Sequence, residues 1–354
     1  MVLMDSDTVN LLIGTYPPEG TDPGSGEGIW QVALDRRSGA LSSEQRLITT
    51  TAPSFLALHP SGGVLYAVRE TEEGAVSAFR LDGGSLTHLV TVPTGGASPC
   101  HLRASREALW IANYGDGVVT RLELDDDGLP AGAPAVYRNA GSGPNSERQE
   151  GPHAHYVHDA GNGSVWISDL GTDEIRRFTQ AGPDGVAAVL PAGTGPRHQA
   201  SLPGGAVVVV GELDSRLHVL SLDGSVLSSR PALATPVPEG QPSQPSHIDV
   251  GVSAATRNLL YAATRGPDVL SVFAVEEEPT ENGQTLRHLS DAPIGGAWPR
   301  HFAVVPSQDD SADYVIVADQ GSSTLDVLRV DGAGSVEQVS SLGLPAPACV
   351  LRVG

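Results

Sequence analysis

The chain repeats one pattern of apolar and polar positions seven times. Each repeat contains a short apolar run that ends on one polar residue, and successive polar positions lie 43 to 56 residues apart. The runs, such as residues 64–68 and 315–318, are too short for helices and are rich in β-branched and aromatic residues, so they predict buried β-strands. A period near fifty residues indicates a repeat architecture. The seven polar positions are Thr15, Arg69, Asn113, Asp169, Glu212, Arg265 and Asp319.

A second apolar run and a glycine-containing turn follow most of these positions, which predicts an antiparallel meander in each repeat. A landmark that begins with proline and usually ends with histidine precedes each of the last six positions. It recurs once more at Pro347, where no repeat follows, while the first repeat has none. The C-terminal strand is therefore expected to complete the N-terminal blade. The pattern predicts an all-β fold, a seven-bladed β-propeller closed by pairing the C-terminal strand with the N-terminal blade, as a single domain over residues 1–354.

Composition excludes several classes of function. The chain has no lysine, which excludes Schiff-base chemistry and a Walker-type phosphate loop. A formal net charge of −21 disfavours nucleic acids and anionic membranes as partners. Residues 1–10 show no secretory signal, and no apolar run reaches the length of a membrane span. A soluble cytoplasmic protein is expected, as a monomer or weak homo-oligomer.

The two cysteines, Cys100 and Cys349, fall in equivalent strands that the ring separates by about two blades. No disulfide is expected at that separation, and the pair has no zinc-binding spacing. Both are interpreted as small core residues, and no metal or other cofactor is predicted.

The topology brings the candidate chemistry to one face of the ring, because the first strand of a meander begins at the edge where the second ends. A histidine repeated at one position is typical of a structural role, such as a hydrogen bond to a neighbouring blade. Repeat four differs, since it has a second histidine and follows a polar loop that contains Arg148. His153 and His155 are therefore candidates for catalysis. The histidines at the repeated position are His101, His155, His198, His247 and His301.

The terminal polar positions carry most of the remaining charge. Asp169 and Asp319 are expected to join neighbouring blades through buried ion pairs. Glu212 follows the most apolar strand of the chain, residues 207–210, where burial would raise its pKa towards the range of a general acid or base.

Three arginines complete the candidate site. Arg197 and Arg300 occupy in their landmarks the slot that His153 holds in repeat four, and Arg265 is a terminal polar residue. Together they could bind a carboxylate or phosphate through paired hydrogen bonds. The alternative, that these arginines only balance neighbouring acids, remains open.

Several segments resemble one known family from end to end. The most specific is Gly141 to His155, with its Gly-Pro-His-Ala-His ending, and Gly195-Pro196-Arg197-His198 and Glu212-Leu213-Asp214-Ser215 accompany it. The chain resembles the seven-bladed propeller lactonases, typified by bacterial cycloisomerase-type 6-phosphogluconolactonases and related to carboxymuconate lactonising enzymes. One departure is Arg69, where relatives commonly have asparagine.

The resemblance implies a site built from His155 with His153 beside it, Arg197, Glu212 and Arg265. The implied activity is hydrolysis of a sugar-acid lactone with an anionic tail, 6-phosphogluconolactone first among them. Arginines, with Arg148 and Arg300 also near, would bind the anion and the oxyanion. Glu212 or His155 would take a proton from water, and a protonated His153 or His155 would return one to the leaving oxygen. No Gly-x-Ser-x-Gly elbow supports a serine nucleophile.

Three other classes stay open at this stage. A muconate-type cycloisomerase would use the same acid and base to form a lactone. A calcium-dependent lactonase could draw ligands from Asn113, Asp169, Glu212 and Asp319, although Arg69 and Arg265 in the same ring would repel the ion. A non-catalytic propeller would bind a protein partner through a large exposed apolar patch.

Overall fold

Each apolar run forms the second strand of a four-stranded antiparallel sheet. The computed structural model describes residues 7–16, 28–161, 163–277 and 284–353, and these ranges contain seven such sheets. The first six residues of the N-terminal segment considered above lie outside them. Within the described residues, no helix is long and apolar enough to cross a membrane.

The strands follow the chain in blade order. Blade 1 contains β1 (Thr8–Thr15), β2 (Ile29–Asp35) and β3 (Leu41–Ile48). Blade 2 contains β4 (Leu56–Leu58), β5 (Val64–Arg69), β6 (Ala75–Asp82) and β7 (Ser85–Pro93). Blade 3 contains β8 (Pro99–Ala104), β9 (Ala108–Asn113), β10 (Val119–Leu124) and β11 (Pro130–Tyr137). Blade 4 contains β12 (Ala154–Gly161), β13 (Ser164–Asp169), β14 (Glu174–Thr179) and β15 (Gly182–Val189).

The remaining blades repeat this arrangement. Blade 5 contains β16 (Pro196–Ser201), β17 (Val207–Gly211), β18 (Arg216–Leu220) and β19 (Val226–Pro231). Blade 6 contains β20 (Gln244–Val250), β21 (Leu259–Arg265), β22 (Val269–Glu277) and β23 (Gln284–Pro293). Blade 7 contains β24 (Pro299–Pro306), β25 (Ala312–Asp319), β26 (Thr324–Asp331) and β27 (Val336–Gly343), and β28 (Pro347–Val353) ends the chain.

The two ends of the chain close the ring as predicted. Strand β28 pairs antiparallel with β1, from Asn10 opposite Val353 to Thr15 opposite Pro347, so blade 1 has the order β28-β1-β2-β3. The first strands of neighbouring blades contact each other all the way round, from β4 through β24 to β28 and back to β4. The seven-bladed β-propeller predicted from the sequence is therefore confirmed.

The core lies between the blades. Strands β9 and β25 are buried along their whole length, because each blade packs on a neighbour through both faces, and this explains their continuous apolar runs. Outermost strands such as β3 and β7 keep many positions in solvent. Val208 and Val210 of blade 5, for example, belong to one apolar cluster with Leu260 of blade 6. Full burial of such a side chain contributes roughly 1.5–3 kcal/mol.

Strand pairing defines two rings of equivalent positions at one face. In six blades a residue near the start of the first strand pairs with the end of the second strand, as Pro99 does with Asn113. The residue that follows the first-strand member of this pair belongs to what we call the inner ring. The residue that follows the second-strand member belongs to what we call the rim ring. In six blades the backbone N–H of the rim residue donates to the carbonyl of the residue two positions before the inner-ring residue, as Glu212 N does to Gly195 O. In blade 2 the hydrogen bond from Glu70 N to Ala52 O identifies the equivalent positions, Pro53 and Arg69.

The membership of these rings follows from the register. The inner ring comprises Ser54, Cys100, His155, Arg197, Ser246, Arg300 and Ala348. The rim ring comprises Tyr16, Glu70, Tyr114, Leu170, Glu212, Arg265 and Gln320.

The register corrects the sequence alignment of blade 4, by two residues for the proline of the landmark and by one residue for its final histidine. Ala154, rather than Pro152, pairs with Asp169, so His155 occupies the slot of Arg197 and Arg300. His153 had been given that slot, and His155 had been grouped with the repeated histidines. Tyr156 takes the repeated histidine position instead, and its ring centroid lies 4.1 Å from that of His101 and 4.5 Å from that of His198.

Candidate active site

A cavity of about 610 Å³ opens at the face that carries the two rings. Its wall combines four rim residues with one inner-ring residue and parts of the loops that precede the landmarks. Three arginines and one buried glutamate face it, so it is the cavity in which opposite charges converge. Its lining residues are Tyr16, Arg148, Glu212, Gln244, Arg265, Asp268, Ala297, Trp298, Arg300, Gln320 and Gly321.

Glu212 lies at the centre of an arginine cluster. Arg148 Nη2 donates a hydrogen bond to Glu212 Oε1 at 2.6 Å. Arg197 Nε and Arg265 Nη2 lie 2.9 and 2.8 Å from the other carboxylate oxygen, Oε2. Neither of these two nitrogens is aligned for a hydrogen bond, and neither has a partner among the described residues, so they hold Oε2 by charge.

This cluster overturns the predicted pKa of Glu212. The side chain is only 3% exposed, and burial alone would raise its pKa as the sequence suggested. The charges of Arg265, Arg197 and Arg148 outweigh burial and hold the pKa of Glu212 far below its usual range. Glu212 is therefore a firmly ionised carboxylate, which makes it a weak base at neutral pH.

Arg197 lies in the wall behind Glu212 and does not line the cavity. It is 3% exposed, and its Nη1 donates to the carbonyl of Ser246 and to His198 Nε2, the latter at 3.0 Å. Since His198 Nε2 accepts, its Nδ1 carries the proton and donates to His247 Nδ1 at 2.7 Å. Burial and the nearby Arg265 lower the pKa of Arg197 to about 9, so the side chain stays charged at neutral pH.

The loop before blade 4 presents Arg148 to the cavity. The side chain of Asn145 accepts from the backbone N–H of Arg148 at 3.2 Å, and buried Gln149 donates to Leu170 O at 2.9 Å and to Asp173 Oδ1 at 2.8 Å. Tyr114 then orients the guanidinium, because its hydroxyl accepts from Arg148 Nη2 at 3.1 Å. The Gly141 to Gly151 segment is thus a folded scaffold for one arginine.

A second ion pair stands at the other end of the cavity. Arg300 Nη2 lies 3.1 and 3.2 Å from the two carboxylate oxygens of Glu70. The Arg300 guanidinium also stacks over the Tyr16 ring at 4.9 Å, as Arg265 does over Trp298 at 5.4 Å.

His155 stands in the inner ring of the blade next to that of Arg197 and, like Arg197, is buried and does not line the cavity. Its ring edge faces Tyr114 at 5.5 Å, and its Nδ1 has only a long contact, 3.8 Å, with Cys100 Sγ. Burial and the positive charge of Arg197 hold the pKa of His155 well below its usual value, although Glu212 opposes this shift. His155 is therefore neutral at pH 7, so it is a base and not a resting proton donor.

His153 is turned away from the cavity, contrary to its predicted role beside His155. Its Nδ1–H donates to Tyr114 O at 2.7 Å, and its Nε2 lies 3.1 Å from Glu150 Oε1. The ring stacks on Tyr114 with centroids 4.6 Å apart. Because both ring nitrogens have partners in the wall, His153 fixes the position of Tyr114.

The repeated histidines have the structural role that the sequence favoured. His101 Nδ1 accepts from Val157 N at 3.2 Å, and His301 Nδ1 accepts from Val350 N at 3.3 Å. Each of these bonds reaches the backbone of a neighbouring blade. Cys100 and Cys349 are free and buried, as predicted.

The two aspartates expected to form ion pairs between blades do something else. Asp169 accepts from the backbone N–H of His153 at 2.9 Å and from Asn139 Nδ2 at 2.5 Å. Asp319 is fully buried, and neither carboxyl oxygen has a hydrogen-bond donor among the described residues. Burial and the neighbouring Asp326 raise the pKa of Asp319 to about 9, so it is a neutral acid.

Arg69 does not share a ring with Arg265. It occupies the position before Glu70, equivalent to Asn113, and lines a separate open groove of about 940 Å³ between blades 2 and 3. Another cavity, of about 460 Å³, lies on the opposite face between blades 3 and 4. The cavity on the opposite face also has charged side chains, but its Arg103–Asp159 pair is about half exposed, and neither cavity has, among its described residues, a buried carboxylate surrounded by arginines.

Three of the four ligands considered for calcium have other partners, and the fourth, Asp319, is a neutral acid. Asn113 donates to Val118 O and Thr120 Oγ1, and Glu212 is surrounded by arginines. Within the described ranges, no three histidine, cysteine, aspartate or glutamate side chains come together as a ligand set. The donor set therefore does not fit a calcium ion.

Sequence reasoning missed Tyr16, Glu70, Tyr114 and Gln320. Each directly follows a position that the pattern had identified, namely Thr15, Arg69, Asn113 and Asp319. Side chains alternate along a strand, so moving by one residue changes which side chain reaches the cavity. That alternation was the signal that could have found them.

Comparisons with known proteins agree with this architecture. The family described as Lactonase, 7-bladed beta-propeller matches residues 10–352. An uncharacterized protein of Lactococcus lactis subsp. cremoris is 29% identical over 335 residues, covering 92% of this chain and 95% of that protein. The 6-phosphogluconolactonase of Bacillus subtilis is 28% identical over 355 residues, covering 96% of each chain. The solved structure of a periplasmic gluconolactonase from Pseudomonas aeruginosa has a TM-score of 0.81 at 26% identity and covers 98% of this chain and 99% of that one.

The match spans nearly the whole propeller, including the loop that presents Arg148 and the strands that carry Glu212 and Arg265. The chain belongs to the seven-bladed β-propeller lactonase family.

Proposed function

We propose that this protein hydrolyses 6-phosphogluconolactone to 6-phosphogluconate in the cavity around Glu212. The family supplies the reaction class, hydrolysis of a lactone. The observation that supports an anionic substrate is the excess of guanidinium groups, three of which surround one carboxylate in a chain of net charge −21. An acidic protein needs such a local excess to attract an anion.

The arginines that line the cavity bind the substrate. Arg148 bonds Tyr114 and Glu212 through Nε and Nη2, and Arg265 bonds a backbone carbonyl through Nε. Each therefore keeps further N–H groups, since a guanidinium has five. These donors receive the anionic tail and the oxyanion that forms at the lactone carbonyl when water attacks. Arg197, which lies behind Glu212, keeps that carboxylate in place and does not contact substrate.

His155 is the general base in this proposal. It is 8% exposed and does not line the cavity, so it takes up the proton through one bridging water molecule. A neutral imidazole can accept the proton of the attacking water, whereas Glu212 is held as a weakly basic carboxylate by its arginines. The negative charge of Glu212 then stabilises the imidazolium that forms. The imidazolium returns the proton to the ring oxygen as the C–O bond breaks, which completes hydrolysis without a covalent intermediate.

The decisive experiment measures hydrolysis of freshly generated 6-phosphogluconolactone above its spontaneous decay, in the presence of chelator. His155→Gln should lower kcat by about 100-fold, the usual scale of general-base catalysis. The matched control is His158→Gln, on the same strand, whose imidazole bonds Ser201 Oγ at 3.1 Å. That variant should keep its rate within about twofold.

The pH profile tests the protonation state. Because the pKa of His155 is lowered, the base stays unprotonated as the pH falls, so kcat/KM should not decline through the ordinary histidine range near 6.5. A decline centred there would contradict His155 as described. Turnover of muconate-type dicarboxylates, with none of the phosphorylated lactone, would favour the cycloisomerase alternative.

Compartment and assembly belong to the same proposal. A cytoplasmic location would suit a phosphorylated intermediate, and the two buried thiols remain unpaired. A small anionic lactone is the proposed partner, with no nucleic acid or membrane. Cell fractionation and sedimentation would test the location and the expected monomer or weak homo-oligomer.

A further inference from the structure

The Arg300 end of the cavity is electrically different from the Glu212 end. At the Glu212 end, three guanidinium groups surround one carboxylate. At the Arg300 end, one guanidinium faces one carboxylate, that of Glu70, with both oxygens within 3.2 Å of the same nitrogen. The side chains of this second pair are 19% and 11% exposed, so bulk water screens the pair only weakly.

The net charge around the cavity depends on Glu70. The positive groups around the cavity are Arg148, Arg197, Arg265 and Arg300. The carboxylates are Glu212, Glu70 and Asp268, and Asp268 accepts from the backbone N–H of Trp298 at 2.9 Å. The balance is one positive charge in excess, and without Glu70 it would be two.

We infer that Glu70 determines specificity by cancelling the charge of Arg300, so that the anionic group of a ligand binds beside Arg148 and Arg265. The Arg300 end then receives the uncharged, hydroxyl-bearing part of the ligand. This assignment rests on the proposed function for the identity of the substrate. Its central claim, about where an anion binds, can be tested without turnover.

The surroundings of Arg300 suit a polyol. Glu70 uses only Nη2, so the remaining N–H groups of Arg300 can donate to hydroxyl oxygens. Tyr16, beneath Arg300, gives this end an aromatic wall. Flat aromatic faces pack well against the C–H faces of a sugar-acid ring.

The test is calorimetric titration with inorganic phosphate at low ionic strength. Glu70→Gln keeps the size of the side chain and removes its charge, so Arg300 becomes a second anion site. Phosphate should then bind about tenfold more tightly than to the wild type, as expected when one nearby opposing charge is removed. The matched control is Glu72→Gln, an exposed residue of the same loop that removes the same charge without touching Arg300. Its phosphate affinity should stay within about twofold of the wild type.

A double variant protects the test against a folding defect. Glu70→Gln with Arg300→Gln replaces the ion pair by a neutral pair, and phosphate affinity should return to the wild-type value. Arg265→Gln should weaken phosphate binding at least about tenfold. Equal affinities of Glu70→Gln and wild type, or a loss in the double variant as large as that of Arg265→Gln, would overturn the inference.

Kinetics add a second readout. In Glu70→Gln a phosphorylated lactone can also bind backwards, so kcat and KM should fall together while kcat/KM changes little. An unphosphorylated gluconolactone should show no such change. If the wild type hydrolyses no lactone, the proposed function fails, and the phosphate titrations still decide whether Glu70 masks Arg300.

Discussion

Glu212 and Asp319 are both buried carboxyl groups at the ends of central strands, yet Glu212 is ionised and Asp319 is neutral. Glu212 is 2% exposed and Asp319 is fully buried, so both suffer desolvation. Three arginines keep Glu212 ionised, whereas burial beside Asp326 raises the pKa of Asp319 to about 9. Burial determines the free-energy cost of keeping a carboxyl group ionised. The charges of its neighbours then decide whether the group is protonated or ionised.

Register explains why the neighbours differ. Glu212 belongs to the rim ring, whose side chains meet the inner-ring arginine and the loop that presents Arg148. Asp319 lies one position earlier, equivalent to Gly211, and packs against Asp326 of the next strand in its own blade. A shift of one residue therefore separates an ionised carboxylate from a neutral acid.

The largest expected effect is on the stability of the Glu212→Gln variant. Removing the carboxylate leaves three guanidinium groups close together without their counter-ion, which should lower the free energy of unfolding by about 3–5 kcal/mol. Urea unfolding at pH 7 measures this. A loss below about 1 kcal/mol would mean that the arginines rearrange into solvent and that the cluster is not held rigidly.

The pH dependence of that loss has a definite sign. The pKa of Glu212 is lowered from 4.5, so its contribution is present at pH values above 4.5 and is lost as the pH falls below it. The difference between wild type and Glu212→Gln should therefore be constant from pH 8 to about 5. A difference that disappears already at pH 6 would contradict the ionised state.

Asp319→Asn should have the opposite effect. The folded-state pKa of Asp319 is raised from 3.8 to about 9, so wild-type stability falls as the pH rises between these values. The asparagine variant lacks this titration. It should be more stable than the wild type by on the order of 3 kcal/mol at pH 8, with little difference near pH 4. Thermal unfolding across this range tests the slope, and parallel curves would refute it.

The smallest expected effect concerns Arg69. It stands one position before the rim ring and lines another groove, so Arg69→Met should change lactone hydrolysis by less than about twofold. Arg265→Met, in the rim ring itself, should lower kcat/KM by at least about tenfold, the scale of a charge-assisted contact to the substrate. Similar losses in the two variants would show that position in the ring does not decide function.

The sequence by itself determined the fold. Seven apolar runs with a fixed period can bury both faces only by stacking on neighbours, and a landmark at Pro347 without a following repeat implied that β28 pairs with β1. It also brought Arg148, Arg197, Glu212 and Arg265 together as candidates, because alternating strand directions gather these positions at one face.

Only the tertiary structure decided the charges and the exact positions. The pKa of Glu212 depends on arginines from the loop before blade 4 and from blades 5 and 6, and such distances between blades are not encoded in local spacing. The extra residue in the landmark of blade 4 moved His155 into the arginine slot and Tyr156 into the histidine slot. Side chains alternate with every residue, so an error of one position in the alignment was enough to group His155 with the repeated histidines instead of placing it in the arginine slot.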